Sequence, residues 1–511
     1  MTLPMHFAKA DPDRVAVIDD HDRMLTFAAL DARAWQLANL IRESGIGVGD
    51  HVAICLENRL DYFWVLFGAH YAGVYYTAIS PWLRNDEIAY IIENCGARLV
   101  IGSDQTMPKM TLARADQRGV ERWLKLDGAA DGYEDLLVAL AVQSADPLPN
   151  PQEGRDMLYS SGTTGRPKGV KHSLTDQLFG EEADGARGMF DHFGLSDGSV
   201  YLNPAPLYHA APLRWSMSAI RRGGTVVLMT RFDAAKCLDL MSRYRVTCGQ
   251  FVPTMMVRLL KLPDEIKAAA DLSALTRVVH AAAPCPAEVK RGLIEWWGPI
   301  VDEYYGGTEG NGLTYIRAEE ALERPGSVGK ALAGILHILD SDGNEVPAGT
   351  SGKVYFSGRP RFAYHDEPEK TAAAYLGEKS TLGDIGYVDD DGYLFLTDRD
   401  VNLIVIGGTN VYPQLTEDVL TMHPEVIDAA AIGYPDADMG EVIMAVIEPK
   451  DPHVDRHALA DRLAAHCAEA LPSIRRPRHF DVVDALPRHP NGKLRKVELR
   501  DEYRRRAATP I

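Results

Sequence analysis

The sequence lacks both a surplus of positive charge and a clustered set of cysteines. Its 511 residues contain 54 lysines and arginines against 72 aspartates and glutamates, which gives a net charge of −18. Proteins that coat nucleic acid neutralise phosphates with basic side chains, so we expect no nucleic-acid partner. No cysteine pair has the CxxC or CxxH spacing of a zinc site, and reduced thiols are therefore expected. The six cysteines are Cys55, Cys95, Cys237, Cys248, Cys285 and Cys467.

Signals for secretion or for a membrane are also missing. The first twenty residues have no basic start followed by an apolar run, so we expect no signal peptide and a cytoplasmic location. One stretch, from Tyr62 to Leu83, carries no formal charge and is long enough to span a bilayer. Gly73 divides this stretch into a helix-like and a β-rich half, and Pro81 closes it. The pattern therefore favours a buried helix followed by a buried strand over a transmembrane span.

What is present indicates a soluble α/β protein of more than one domain. The chain is too long for one compact core, and its 46% hydrophobic and 25% charged residues are ordinary for a globular protein. Strand-like "HVAICL", "ARLVIG" and "GTVVLM" alternate with segments of helical length, which predicts parallel sheets covered by helices. From about residue 335, Asp-Gly turns between short alternating runs predict hairpins. We expect a large N-terminal domain, residues 1–398, and a small C-terminal domain, residues 399–511.

The segment "YSSGTTGRPKGV", residues 159–170, has the composition of a phosphate cradle. Glycines at 162 and 165 allow the backbone N–H groups to form a concave nest for an anion. Hydroxyl donors and one lysine would add to the binding of a polyphosphate. The spacing G-x-x-x-x-G-K-[ST] of the kinase and ATPase P-loop is absent. On its own, "GTTG" would more often be a mobile surface loop.

The chain also carries six further motifs in a fixed order, and with this loop it resembles the adenylate-forming enzymes. That family includes acyl-CoA synthetases, aryl-CoA ligases, luciferases and peptide-synthetase adenylation domains. Each motif alone would be an ordinary structural feature, but six of them in family order over nearly the whole chain indicate membership. The six further motifs are "PLYHAAP" (206–212), "AAAPCP" (281–286), "YYGGTEG" (304–310), "LGDIGYVDDDGYLFLTDR" (382–399), "GGTNVYP" (407–413) and "PRHPNGKLRK" (487–496), the last of which contains the family's lysine.

The resemblance implies a fold and a reaction. The N-terminal domain would include a distorted β-barrel-like part, and the C-terminal α+β domain would be mobile. A carboxylic acid and ATP would give an acyl-adenylate and pyrophosphate, and the thiol of coenzyme A would then give a thioester and AMP. The implied ATP-binding residues are Ser160, Ser161, Gly162, Thr163, Thr164, Gly165, Lys168, Ala282, Ala283, Pro284, Tyr304, Tyr305, Gly306, Thr308, Asp384 and Arg399.

Within this set the resemblance implies separate roles. Lys168 would bind the β- and γ-phosphates, Thr308 would hydrogen-bond the α-phosphate, and Glu309 would be the ligand of Mg²⁺, which prefers oxygen. Tyr305 would lie against adenine, while Asp384 and Arg399 would hold the ribose. The implied catalytic residues are Lys493, His209, Thr308 and Glu309.

The thioester step would use the small domain. Gly407 and Gly408 would lie beside the pantetheine tunnel after a domain rotation. Arg475, in the arginine-rich end of the chain, would meet the phosphates of coenzyme A or, equally well, an acidic carrier protein. After the junction arginine most relatives have a charged hinge, whereas this chain reads Val401-Asn402. A β-branched, uncharged Val401 predicts slower switching or a shifted pivot.

The acid itself is expected to be apolar. The pocket segments are rich in alanine, methionine, valine and tryptophan, and Arg214, the one charge nearby, is expected to pair elsewhere or reach solvent. Medium- or long-chain fatty acids, aryl acids and sterol side-chain acids all stay open, and acetate is less favoured. The predicted acyl pocket consists of His209, Trp215, Val252, Ala281, Gly307 and Asn311.

Other functions within and outside this reaction stay open. An adenylating enzyme could pass the acyl group to a separate carrier protein or to an amine, and a luciferase-like oxygenase shares the first step. A catalytically silent nucleotide-binding homologue is disfavoured because Lys168, Glu309, Asp384, Arg399 and Lys493 are all present. A homodimer is left open as the assembly.

Overall fold

A computed structural model describes residues 3–114, 117, 119–160, 167–174, 178–181, 190–399, 404–407, 409–436, 438–488 and 494–508, with only the backbone of residues 398, 399, 410 and 508. The chain divides into two compact units. The first comprises Met1–Phe251, Pro263–Val279 and Pro360–Ala373, and the second comprises Val252–Leu262, His280–Arg359 and Ala374–Ile511. The domain boundary predicted at 398/399 does not coincide with a limit of either unit, and it stays a prediction.

The helices of the described residues are mostly short. They are α1 (Pro4–Ala10), α2 (Phe27–Glu43), α3 (Asp61–Tyr71), α4 (Asn85–Asn94), α5 (Met107–Arg114), α6 (Leu136–Ala141), α7 (Ala210–Arg221), α8 (Ala234–Arg243), α9 (Pro253–Leu260), α10 (Asp264–Ala269), α11 (Ala287–Trp297), α12 (Ala318–Glu323), α13 (Pro368–Ala373), α14 (Gln414–Met422), α15 (Arg456–Ala470) and α16 (Lys496–Ala508), with a 3₁₀ turn at Ser473–Arg475.

The strands are β1 (Val15–Asp19), β2 (Met24–Thr26), β3 (His51–Cys55), β4 (Tyr75–Ala78), β5 (Ala97–Gly102), β6 (Arg122–Lys125), β7 (Glu134–Asp135), β8 (Arg155–Asp156), β9 (Leu158–Ser160), β10 (Lys168–Lys171), β11 (Val200–Asn203), β12 (Thr225–Leu228), β13 (Cys248–Phe251), β14 (Arg277–His280), β15 (Val301–Gly306), β16 (Leu313–Ile316), β17 (Ser327–Ala333), β18 (Ile335–Leu339), β19 (Gly352–Ser357), β20 (Ala363–Tyr364), β21 (Tyr375–Leu376), β22 (Lys379–Ser380), β23 (Asp384–Val388), β24 (Leu394–Arg399), β25 (Ile404–Ile406), β26 (Thr409–Val411), β27 (Val426–Asp436), β28 (Gly440–Pro449) and β29 (His479–Val482).

The first unit contains the parallel strands that the alternation of elements predicts. One run has the order β7-β6-β5-β3-β4-β8 with parallel neighbours throughout. In a second run β1 pairs in parallel with β12, and β11 pairs in parallel with β12 and β13. A third set, β20-β10-β9, is antiparallel and carries the ends of the glycine-rich segment. The predicted α/β class is confirmed.

Helix α2 shows how local sequence sets these elements. Thr26 is its N-cap, and the side-chain oxygen accepts a hydrogen bond of 3.2 Å from the Ala29 backbone N–H, which would otherwise have no partner in the first turn. Just beyond its end, Gly45 has φ +74°, a conformation that glycine adopts without strain. The cap and the glycine therefore fix both ends of the helix.

The uncharged stretch from Tyr62 to Leu83 folds as predicted into a buried helix and a buried strand. Helix α3 ends at Tyr71, Gly73 has φ +75°, and β4 begins at Tyr75. Among the described residues, no helix combines the length and the apolar character needed to cross a membrane. The six cysteines are all free, as their spacing predicts.

The second unit is mainly antiparallel up to residue 399. Strands β15, β16, β17, β24, β23 and β19 follow one another with antiparallel pairing, and β18 forms a hairpin with β19. The predicted hairpins after residue 335 are therefore confirmed. Whether these strands close as a barrel-like part stays a prediction.

Beyond residue 399 the second unit has its own mixed layer. Strands β27 and β28 pair antiparallel, and β29 lies parallel to β28. Leu420 of α14 and Leu459 and Leu463 of α15 pack against Val426 in a fully buried cluster. This arrangement agrees with the predicted α+β character of the C-terminal part, while its mobility stays a prediction.

Candidate active site

The two ends of the glycine-rich segment lie opposite each other in the first unit. Ser160 ends β9, Lys168 begins β10, and the two residues are cross-strand partners in an antiparallel pair. Gly169 pairs with Tyr159, and a Cβ at Gly169 would come within 2.8 Å of the Met157 side chain and 3.0 Å of the Tyr159 ring. Glycine is thus required for β10 to pack this closely. The residues between, including Ser161, Gly162, Thr163, Thr164 and Gly165, lie outside the described residues.

His209 is the N-cap residue of α7 and is half-buried. Its position depends on Asn58, which the sequence alone did not identify. The buried Asn58 amide donates to the carbonyls of Ala205 (3.0 Å) and Met229 (2.9 Å), and its oxygen accepts from Leu207 N (2.8 Å). Asn58 therefore fixes the turn that leads to His209. Its only signal in the sequence is an amide three residues beyond a buried strand.

The acyl-pocket residues of α7 have partners within the first unit. Trp215 packs among aromatic rings, with centroid distances of 5.5 Å to Phe190, 5.0 Å to Phe193 and 6.2 Å to Tyr201. Arg214 pairs with the buried Asp156 at 2.8 Å, one of the two outcomes expected for this charge. Because its charge is compensated, Arg214 does not argue for an anionic tail on the acid. The role of Trp215 in the acyl pocket stays a prediction.

In the second unit, the predicted adenine and ribose residues meet. Tyr305 on β15 donates its hydroxyl to Asp384 Oδ2 at 2.6 Å, and Asp384 is only 6% exposed. Asp384 begins β23 and is the cross-strand partner of Arg399 on β24. Tyr304 and Gly306 flank Tyr305 on β15, so that Tyr304 points to the opposite face. Tyr305 on β15 and the β23–β24 hairpin, which β16 and β17 separate from β15 in the strand order, thus carry three residues that lie up to 94 positions apart.

The turn after β15 holds the proposed magnesium ligand. The Glu309 carboxylate is 8% exposed, and a Cβ at Gly307 would come within 2.8 Å of Glu309 Oε2 and 2.4 Å of Leu382. Glycine at 307 therefore leaves the carboxylate its space. Asn311, 3% exposed, donates to Ser380 O at 3.3 Å. A carboxylate beside the hydroxyl of Thr308 supplies oxygen donors, which fit Mg²⁺ when nucleotide phosphates complete the shell.

The segment beside the predicted adenine site contains a strained residue. Ala282 has φ +77°, in the left-handed region that costs a residue with a Cβ about 1–2 kcal/mol. Its neighbours Ala283 and Pro284 continue the loop toward α11, while Ala281 is buried. Glycine would adopt this backbone conformation without strain.

A buried charged cluster lies directly beneath this segment. Lys290 on α11 forms an ion pair with Glu303 on β15, each about 5% exposed, and His280 Nε2 lies 3.8 Å from the same carboxylate. Burial opposes the charged form of Lys290, but the Glu303 carboxylate outweighs it and raises the pKa of the lysine. Burial, with the Lys290 charge added, lowers the pKa of His280 well below its usual range. His280 is therefore neutral, and the ion pair fixes α11, which follows the loop, to β15.

Three further predicted residues, Val252, Gly407 and Arg475, have described positions in the second unit. Val252 is the buried N-cap of α9. Gly407 has φ +54°, and a Cβ there would meet the Met439 side chain at 2.7 Å. The Arg475 carbonyl accepts a hydrogen bond of 2.8 Å from Thr416, which ties the 3₁₀ turn to α14. Val401, Asn402, Gly408 and Lys493 lie outside the described residues.

The motifs that carry these residues resemble those of the adenylate-forming class, and family models test that resemblance. The chain belongs to the AMP-binding enzyme family: its residues 5–362 match the family model, and residues 415–493 match the AMP-binding enzyme C-terminal domain.

Relatives with established names differ in their acceptor and their acid. The chain is 29% identical to fatty acid--[acyl-carrier-protein] ligase ScoC of Streptomyces coeruleorubidus, over 97% of this chain and 95% of the relative. It is also 29% identical to long-chain-fatty-acid--CoA ligase FadD13 of Mycobacterium tuberculosis, over 94% of both. The fold matches the crystal structure of the anthranilate CoA ligase AuaEII with anthranoyl-AMP at a TM-score of 0.85, with 26% identity over 99% of this chain and 97% of that one.

Proposed function

We propose that the protein is an ATP-dependent acid–CoA ligase that forms an acyl-adenylate and then an acyl-CoA, AMP and pyrophosphate. The observation that carries the proposal is the family match over both parts of the chain, because the second match ends at Lys493. An enzyme with both parts can run both half-reactions. The relatives that act on fatty and aromatic acids support an apolar acid.

Charge compensation is the main task in the first half-reaction. A carboxylate and a phosphate repel each other, so the protein must align them and offset their charge. Lys168 would hold the β- and γ-phosphates at the base of the glycine-rich segment, and Thr308 would donate to the α-phosphate. Mg²⁺ bound at Glu309 would offset phosphate charge. No described residue needs to form a covalent bond with a substrate, and the protein would act by positioning the acid and the nucleotide.

The nucleoside would lie along β15 and β23. Asp384 would accept from the ribose hydroxyls, and the Tyr305 hydroxyl donates to its Oδ2 at 2.6 Å, which would orient the carboxylate. The flat face of Tyr305 would meet adenine together with the 281–284 segment. Arg399, the cross-strand partner of Asp384, would assist from the domain junction.

The C-terminal part would act in both half-reactions. Lys493 would stabilise the charge that develops between the acid and the α-phosphate. The Gly407 loop would then replace it beside the pantetheine chain of coenzyme A, with Arg475 near the nucleotide phosphates. Switching between these states is a gating step, for which the uncharged Val401-Asn402 hinge predicts a low rate.

Product analysis tests the proposal. The enzyme is incubated with Mg-ATP, coenzyme A and a panel of aliphatic, aromatic and sterol acids, and acyl-CoA, acyl-AMP, AMP and pyrophosphate are measured by mass spectrometry. We expect one dominant acyl-CoA with equal amounts of AMP and pyrophosphate. Parallel reactions replace coenzyme A by a phosphopantetheine-loaded acyl carrier protein or by an amine.

The outcomes separate the alternatives. Acyl-AMP without acyl-CoA, combined with loading of the carrier protein, would overturn the CoA assignment in favour of the ScoC type of reaction. An amide product would assign the amine as acceptor. Absence of pyrophosphate release with every acid of the panel would support a silent homologue.

A further inference from the structure

The ammonium group of Lys168 lies over an aromatic ring that comes from far along the chain. Lys168 Nζ is 5.0 Å from the centroid of the Tyr364 ring, and both residues belong to the first unit. Strand β20 pairs antiparallel with β10, with Tyr364 opposite Val170. Lys168 is two residues before Val170, so Lys168 and Tyr364 are diagonal neighbours on one face of the strand pair. The backbone register thus creates the contact.

The Tyr364 ring is held firmly. It is 9% exposed and packs edge-on against Phe362 at a centroid distance of 5.3 Å. The Thr371 hydroxyl accepts from Tyr364 N at 2.9 Å, and the following residue, His365, donates its backbone N–H to Gly169 O at 2.8 Å. These contacts fix the backbone on both sides of the ring. The ring therefore presents one face to the lysine without rearrangement.

An aromatic partner has a different electrostatic effect from a carboxylate. Within the described part of the chain, no carboxylate lies within ion-pair distance of Lys168 Nζ. A carboxylate would neutralise the lysine and compete with a phosphate for it, whereas the ring attracts a cation through its quadrupole and leaves the net charge intact. The ring also takes none of the three ammonium donors away from an anion.

We propose that Tyr364 is a positioning residue for the nucleotide's phosphates: it holds the Lys168 ammonium over its ring face, charged and un-neutralised, at the base of the glycine-rich segment. This inference rests on the proposed function, in which Lys168 binds the β- and γ-phosphates. Tyr364 acts through Lys168 and does not itself touch the nucleotide.

The test measures binding of Mg-ATP and of AMP by titration calorimetry. Tyr364→Leu removes the ring, and we expect the dissociation constant of Mg-ATP to rise about 3- to 10-fold, in line with a partly buried cation–π contact. Binding of AMP, which has no β- or γ-phosphate, is expected to stay within twofold. Tyr364→Phe keeps the ring face and is expected to bind Mg-ATP like the wild type.

Two designs separate positioning from folding. Phenylalanine, fluorophenylalanine and trifluorophenylalanine at position 364 keep the ring's shape but weaken its quadrupole stepwise, so the dissociation constant of Mg-ATP should rise with each step. In a Lys168→Met background, Tyr364→Leu should add nothing further. A rise of the same size in that background, or indifference to fluorination, would overturn the proposal.

A matched control lies on the opposite face of the same strand. The Lys171 ammonium is 4.6 Å from the ring of Tyr75, which is 6% exposed. Tyr75→Leu should lower stability without a selective loss of Mg-ATP. If it weakens Mg-ATP as much as Tyr364→Leu, general loosening of β10 is the cause and the proposal fails. If Lys168→Met itself leaves Mg-ATP binding unchanged, the phosphate role in the proposed function is wrong, which is a separate result.

Discussion

Two lysines, one in each compact unit, carry the same charge but have partners with opposite electrostatic effects. Lys168 in the first unit lies over the Tyr364 ring, which leaves its charge available. Lys290 in the second unit is buried against the Glu303 carboxylate, which neutralises its charge. A cation that must bind a ligand needs a partner that orients it, whereas a cation that anchors a loop needs one that neutralises it. The identity of the partner therefore distinguishes a binding lysine from a structural one.

The largest expected effect comes from breaking the structural pair. Lys290→Met leaves the Glu303 carboxylate buried without a counter-charge, which should lower the free energy of unfolding by about 3–5 kcal/mol. Denaturant unfolding measures the change. The double variant Lys290→Met/Glu303→Leu, with both charges removed, should recover most of the loss. A single variant as stable as the wild type would show that the pair does not anchor the loop.

Lys493→Ala should give the next largest effect, on rate and not on stability. Losing one preorganised contact to the developing charge lowers the rate of adenylation about 10²- to 10³-fold, roughly 3–4 kcal/mol. Pyrophosphate release measures the first half-reaction, and conversion of supplied acyl-adenylate with coenzyme A measures the second, which should persist.

A nearby lysine provides the control for that variant. Lys496 forms an ion pair of 2.8 Å with Glu417, so its charge is already neutralised. Lys496→Ala should therefore keep adenylation. Adenylation by Lys493→Ala within tenfold of the wild type would show that the assignment of Lys493 is wrong.

Short-range patterns in the sequence were enough to predict much of the fold. The cap and glycine of α2, the break at Gly73 and the Asp-Gly hairpins are set by residues within a few positions of one another. The family motifs assigned Tyr305 and Asp384 to the nucleotide, and their hydrogen bond was found only in the structure. The division into two compact units, by contrast, could not be predicted from local patterns, because residues 252–262 and 360–373 each belong with distant parts of the chain.

The contacts that support these residues could not be predicted from the sequence. Asn58 holds a turn 149 positions away, and Tyr364 reaches Lys168 only because β20 pairs with β10. The Lys290–Glu303 pair depends on how α11 packs beside β15. None of these has a local pattern, since each depends on which strands and helices become neighbours after folding. Hence the sequence identified the motif residues but not the residues that hold them in position.

Tyr305→Phe sharpens the distinction between binding and structural groups in the second unit. Removing the hydroxyl that holds Asp384 loses a hydrogen bond to a charged group, worth about 1.5–3 kcal/mol, and we expect ATP to bind roughly tenfold more weakly. Preference for ATP over 2′-deoxy-ATP should fall with it. Tyr315→Phe is the matched control, because Tyr315 donates to the buried Asp302 at the same 2.6 Å. Equal effects on nucleotide preference would contradict the ribose role.

Among the described residues, a third lysine, Lys261, has neither an aromatic ring nor a carboxylate as its partner, but two backbone carbonyls. Lys261 Nζ donates to Thr421 O at 3.0 Å and to Val426 O, and burial lowers its pKa to about 8. The unfolded chain binds more protons than the native one between about pH 8 and pH 10.4, so this group makes the free energy of unfolding rise with pH there. Lys261→Met should remove that rise, because the variant has no group that titrates in this range. Parallel stability curves of the two proteins from pH 7 to pH 10 would contradict it.

The smallest expected effect tests whether the loop above the Lys290–Glu303 pair is strained. At φ +77° a Cβ costs about 1–2 kcal/mol, and glycine loses about 0.5–1 kcal/mol more backbone entropy on folding, so Ala282→Gly should raise the free energy of unfolding by about 0.5–1 kcal/mol. Ala283→Gly, at a residue without a positive φ, should change it by a similar amount in the opposite direction. Denaturant unfolding of both variants decides the question. Destabilisation by both would mean that Ala282 is not strained, and that the ion pair holds a relaxed loop.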